Sequence, residues 1–294
     1  VSVLNTLDGH TSGTINANSI NTLSGTAADL ISAYAANGSG ISGLGNEAIN
    51  VNSGTASTAQ ANSLAADTSG VVTATISDGD MATLAGLTET SNAYAVTITD
   101  TRVNADELNT LNSKTTVNID CGNITQIVGA ISDIATAYTS GGFTGLGDEE
   151  IIFTFANIQA DLLNAIDAAN SRVINASGVA SLTGSASDLN TAYASSGVSG
   201  LGNEPVTLTD SSLSASVLNT LDGNTSGTID ASSINTLSGT AADLNTAYTS
   251  AGISGLNNEA ITLTDTSLTA SVLNTLDGRT SGTINASSIN TLTG

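Results

Sequence analysis

Cysteine, histidine, proline and methionine occur once each in these 294 residues, and tryptophan is absent. Cys121 alone excludes a disulfide framework. Cys121 with His10 as the only partner excludes a Cys/His zinc site. Cations are almost as scarce: Arg102, Lys114, Arg172 and Arg279 face 26 Asp and Glu, for a formal net charge of −22. So acidic a chain repels nucleic-acid phosphates and anionic membrane surfaces. No run of 18 apolar residues exists, so no membrane-inserting helix is expected. Charged residues are 10% and aromatics 3%, against about 25% charged in an ordinary soluble domain. Few aromatics suggest disorder. The 39% of apolar residues, mostly small aliphatics, and a strict periodicity argue for a folded core.

The periodicity is that of an internal repeat. SVLNTLDG begins at Ser2, Ser216 and Ser271, and Tyr138, Tyr193 and Tyr248 stand 55 apart. Apolar residues followed by another five positions later begin at Ile15, Val51, Ile76, Ile98, Ile119, Phe153, Ile174, Leu208, Ile229, Leu263 and Ile284. From Ile98 onward their spacing alternates between a short step, 21 from Ile98 to Ile119, and a long one, 34 from Ile119 to Phe153. The short unit reads as a strand, VTLTD (206–210), then a helix through Leu213, Val217, Leu218 and Leu221, with Gly223 as its C-terminal cap. In the long unit Thr240 and Asp243 form a capping-box pattern before Leu244, Ala247 and Tyr248, and a Gly-rich loop follows.

No such unit can bury its own apolar face, whereas stacked neighbours can. The expected fold is an α/β solenoid of right-handed strand–helix coils with one parallel sheet. Eleven coils at about 4.8 Å each would span roughly 50 Å. An all-β solenoid, with the NTLDG segments as strands or turns, is the alternative. The chain reads as one repeat array: 1–13 the end of a partial coil, 14–51 a first coil, 52–95 irregular, and 96–294 regular double repeats. Neither end carries a polar cap, so the array reads as a window onto a longer chain. Its terminal apolar columns, Val3, Leu4 and Leu7 at one end and Ile284, Ile289 and Leu292 at the other, are expected to meet further repeats or other copies end to end.

SVLNTLDGNTSGTIDASSINTLSGTAADLNTAYTSAGISGLNNEAITLTD (216–265) resembles repeats in giant acidic secreted or cell-surface proteins of marine picocyanobacteria. That resemblance implies an extracellular, adhesin-like or motility-associated setting. TAADLNT and LNTLDGNTS are similar, more partially, to tandem motifs of phage tail fibres. Neither resemblance brings catalytic residues.

Catalysis has little to stand on. His10 has no nucleophile–base partner and stands where other copies have Asn224 and Arg279. Cys121 stands where others have Ala176 and Ala231, a small core position. The carboxylates are spread over the repeats rather than paired in one cleft. The chain therefore reads as non-enzymatic. Calcium is the one cofactor worth weighing, with Asp78, Asp100, Asp210 and Asp265 at strand ends and Glu204 and Glu259, with Glu47 and Glu149, in the Gly-rich loops. The competing reading makes these Asp helix caps, and the Asp of LDG turn residues. Thr pairs such as Thr207/Thr209 resemble ice-binding arrays, but β propensity explains them as well. The expectation is a structural repeat protein of an extracellular filament, sheath or surface layer. The alternative is an adhesin or phage-fibre module that recognises a glycan through the irregular 52–95, where Tyr94 is the aromatic at hand.

Overall fold

The computed structural model describes residues 1–294, which form two compact units, Val1–Ile152 and Phe153–Gly294. Eleven helices alternate with short strands. In the first unit they are α1 (Ser2–His10), α2 (Ala27–Ala35), α3 (Thr58–Asp67), α4 (Met81–Leu84), α5 (Ala105–Asn112) and α6 (Ile131–Thr139). In the second they are α7 (Ala160–Ala169), α8 (Ala186–Ala194), α9 (Ala215–Asn224), α10 (Ala241–Thr249) and α11 (Ala270–Asp277). The NTLDG segments lie in α1, α9 and α11, which overturns the all-β alternative. Gly223 is inside α9, whose C-cap is Thr225, so the expected glycine cap fails there.

Strand pairing is parallel in both units. In the second unit Ile158 pairs with Leu182, Leu182 with Val206, Val206 with Ile229 and Ile229 with Ile253. Each step encloses one helix, and the stretch it spans is here termed a coil. The pairing step is nearly constant, 24 from Ile158 to Leu182 and 23 from Val206 to Ile229. Helix starts advance differently, 26 positions from Ala160 to Ala186 and 29 from Ala186 to Ala215. The ladder therefore creeps away from the helices. Ile158 lies two residues before α7, Leu182 four before α8, Val206 nine before α9 and Ile229 twelve before α10. A fresh ladder, Leu213–Leu237–Ile261–Ile284, then begins just before α9.

This mismatch corrects the single sheet expected from sequence: the strands fall into eight sheets of two to five strands. Leu208 and Leu213, five apart, belong to two different ladders. Leu208 is 2% exposed and Thr207 and Thr209 point outward, as the alternation requires. Leu213 is only half-buried, because its strand opens a ladder and pairs on one side alone.

Consecutive helices pack side by side within each unit: α2 on α3 and α5 on α6 in the first, α7 through α11 in the second. Their inward faces carry a short list of residues, Ala215, Leu218 and Leu221 in α9 and Ala241, Leu244 and Ala247 in α10. The core is thus built from small aliphatics at i, i+3 and i+6, with little aromatic filling.

Candidate functional site

The polar residues that recur with the repeat converge on no single cleft. They form four rows, three of which satisfy backbone groups that packing would otherwise bury unpaired, while the other joins side chain to side chain between coils.

The first row is the strand-end aspartates. Each accepts from the first backbone N–H of a helix in the preceding coil: Asp78 from Thr58 (2.7 Å), Asp100 from Met81 (2.6 Å), Asp210 from Ala186 (2.7 Å) and Asp265 from Ala241 (2.7 Å). These Asp are caps, but of the previous helix rather than of the one that follows. Each capped helix also has its own cap: Ser57, Asp80, Ser185 and Thr240 accept from the N3 amides. The box read at Thr240 and Asp243 is altered in detail. The Thr240 hydroxyl accepts from the Asp243 N–H and donates to the Asp243 carboxylate, 2.8 Å away.

The second row is the Asp of LDG and its equivalents. Asp167 accepts from the Ser195 hydroxyl (2.6 Å) and Asp222 from that of Ser250 (2.7 Å), each 28 residues on. Both Asp lie in the last turns of α7 and α9, not in turns. The receiving loops bring Gly197 and Gly252 so close that a Cβ there would collide with the carboxylate. Glycine is required by this approach, not by a turn.

The third row is asparagine, for which the sequence alone suggests no role. Asn5, Asn62, Asn109, Asn164 and Asn219 each donate their side-chain N–H to a backbone carbonyl 24 residues on, those of Asp29, Gly86, Asp133, Asp188 and Asp243, at 2.7–3.0 Å. Its recurrence in the LNT, LLN and ANS segments was the available signal.

The fourth row is the most buried. Glu47, Glu149, Glu204 and Glu259 are 1%, 0%, 3% and 1% exposed. Each Gly-rich loop wraps backbone N–H groups around its own glutamate. Gly202 donates to both Glu204 oxygens (2.8 and 3.1 Å) and Asn203 to one (3.2 Å). Gly147 and Asp148 serve Glu149 in the same way, and Asn257 and Asn258 donate to one oxygen of Glu259. A tyrosine from the preceding helix closes the ring: Tyr34 donates to Glu47, Tyr138 to Glu149 (2.5 Å) and Tyr248 to Glu259. The next coil then grips the glutamate's own carbonyl, through the hydroxyls of Thr68 at Glu47 (2.6 Å) and Thr280 at Glu259 (2.7 Å).

Burial raises the Glu47 carboxyl, but the hydrogen bonds from Tyr34 and from the Gly45 and Asn46 amides outweigh it and hold the group below its ordinary range. Burial, then the adjoining glutamate, pushes Tyr34, Tyr138 and Tyr248 well above the usual phenol range. The N–H donors converging on these carboxylates present positive dipoles to them, the reverse of what a bound cation needs. No three His, Cys, Asp or Glu side chains come together where a metal ion could be held.

The remaining sequence candidates are also placed. Cys121 is fully buried, and its thiol is pushed up to about 12 by burial and the nearby Asp120 and Glu149 charges. That is an unreactive core thiol. His10 is exposed at the end of α1. Tyr94 is buried, so it offers no stacking face to a sugar. Val3, Leu7 and Leu292 are exposed, and Leu4, Ile284 and Ile289 are half-buried. No helix is long and apolar enough to cross a membrane. No protein-family model matches the chain, and neither a curated protein nor a solved structure matches it significantly.

Proposed function

We propose that the chain is a non-enzymatic structural repeat protein, wound as a right-handed α/β solenoid, that forms part of an extracellular filament, sheath or cell-surface layer. One observation carries the reading. The recurring polar side chains tie each coil to its neighbour, or a loop to its own glutamate. They are spent on cohesion, and cohesion along a stack is what a mechanical element needs. Each buried Leu or Ile in the columns adds about 1.5–3 kcal/mol. The acidic surface opposes lateral clumping, an effect screened at high salt, where the Debye length falls to about 3 Å.

The partners in this reading are further repeats or copies, met through Val3, Leu4 and Leu7 at one end and Ile284, Ile289 and Leu292 at the other. Electron microscopy of the native material tests it. Continuous fibres with an axial repeat built from steps of about 4.8 Å are expected, and dispersed globular particles would overturn it. The terminal columns are tested by sedimentation at high salt. Association that is lost on replacing Ile289 and Leu292 by Lys is expected, whereas a monomer at every concentration would remove end contact as a route to assembly.

A further inference from the structure

The four glutamate loops do more than pack. Each fixes its loop through a carboxylate matched to its ionised state: the amide N–H groups bonded to it can only donate, and at three of the four a phenol donates as well. Three of the loops are seen to hold the following coil in turn. Gly45 accepts from the Ser69 N–H (2.9 Å), Gly202 from Ser226 (2.8 Å) and Asn257 from Ser281 (2.8 Å), beside the Thr68, Thr225 and Thr280 hydroxyls on the glutamate carbonyls. Gly70, Gly227 and Gly282 press against those same carbonyls without room for a Cβ. A single carboxylate thus sets both a loop and its grip on the next coil.

We infer that these loops are acid-released fasteners between coils. Protonating the carboxyl places a hydrogen on an oxygen that already faces an N–H donor. Two donors then oppose each other at that oxygen, and a buried N–H that faced it loses its charged acceptor. The loop opens and its grip on the next coil goes with it, while the apolar ladders, held by backbone pairing and aliphatic side chains, stay formed. The titratable groups facing each carboxylate are few: Tyr34 and Asp67 around Glu47, Tyr138, Asp148 and Cys121 around Glu149, Tyr193 at Glu204, and Tyr248 at Glu259. The hydrogen bonds depress the Glu47 carboxyl, so its fastening is complete above the ordinary glutamate range and is lost as pH falls through the depressed value. The inference is independent of whether the chain builds filaments.

The test is carboxyl-carbon NMR of Glu-labelled chain from pH 7 to 2.5, with amide-exchange protection corrected for intrinsic rate. As each buried glutamate protonates, protection at Gly202, Asn203 and Ser226 should fall at least tenfold while Val206 and Ile229 stay protected. Glu204→Gln should reproduce that loss at pH 7 in its own loop and leave the other three intact. Tyr34→Phe, which removes one donor from Glu47, should move the Glu47 titration to higher pH. The inference is overturned if the loop amides stay protected after protonation, or if the ladders lose protection in the same step. An unmoved Glu47 titration in Tyr34→Phe would also overturn it. Should Glu204→Gln fail to fold, the wild-type titration and Tyr34→Phe decide the matter.

Discussion

Two regions of this molecule solve one problem with different residues. From α7 onward the helix starts alternate between a shorter advance, Ala160 to Ala186, and a longer one, Ala186 to Ala215. The Gly-rich glutamate loop recurs there at Glu204 and Glu259. Between α3 and α5 the helix starts, Thr58, Met81 and Ala105, crowd closer together, and α4 is a single turn. The strand pairing tightens with them, stepping only from Thr73 to Ala93. No such glutamate loop occurs there. Instead Asn92 accepts from the Val72 N–H (2.8 Å), and the Thr115 hydroxyl both accepts from the Tyr94 N–H and donates to its carbonyl. Asn92 and Thr115 are both buried. A shortened coil cannot host the loop, yet the buried backbone still has to be paired. What is invariant is the hydrogen-bond accounting between coils, not the residues that close it.

The largest expected effect strikes what both regions share, the apolar column. Leu208→Asp places an unpaired charge at a buried position and should cost about 3–5 kcal/mol, read as a shift in the urea midpoint. A Val72→Asp counterpart at a fully buried site of the short-coil region should cost as much. A clearly smaller loss there would separate the two cores.

The next tests separate the loops from the column. All five tyrosines are held above the ordinary phenol range, chiefly by burial, Tyr94 at about 12. The folded chain then binds more protons than the unfolded one above pH about 10. With the buried Cys121 thiol also held high, thermal stability should be flat from neutral pH to about 8.5 and fall with rising pH beyond it, most steeply past about 10, with no tyrosinate absorbance appearing until the fold gives way. Tyr248→Phe removes a hydrogen bond to a buried carboxylate and should cost about 1.5–3 kcal/mol, measured by chemical denaturation.

Smaller effects sharpen the comparison further. The N-cap position of α6 is Ala130, which offers no side-chain cap, where the equivalent helices α8 and α10 have Ser185 and Thr240. Ala130→Thr should stabilise the chain by about 1 kcal/mol, visible as a raised thermal midpoint. The smallest effect is expected from Tyr193→Phe. The Tyr193 hydroxyl lies near Glu204 and Thr225 but is buried without a hydrogen bond to either, so the change should lie within about 0.5 kcal/mol of zero. A loss equal to that of Tyr248→Phe would mean that the Glu204 loop closes as the others do.

Much of this was legible in the residues. Inward Leu208 and outward Thr207 follow from alternation, buried Cys121 from its alanine equivalents, and the helical AADLNTAY segment from its cap and spacing. The capping reading of Asp210 was half right, since an Asp before a helix does cap, but its target is the helix 24 residues earlier. The glutamates were visible as a row, yet nothing local shows that the Gly-rich loop turns its amides onto its own side chain. The asparagine row gives no local sign of its role, because Asn is usually exposed. Its side chain is drawn inward by a carbonyl in the next helix.

The sequence by itself determined the period, the alternation of helix and strand, and which aliphatic residues face inward, because these depend on 3.6- and 2-residue periodicities within single segments. The tertiary structure decided the number of sheets and the partners of every polar row. Strand pairing advances by less per coil than the helices do, Val206 to Ile229 against Ala215 to Ala241. That difference is a property of neighbouring coils in contact, and it alone fixes which carbonyl an asparagine meets and which helix an aspartate caps.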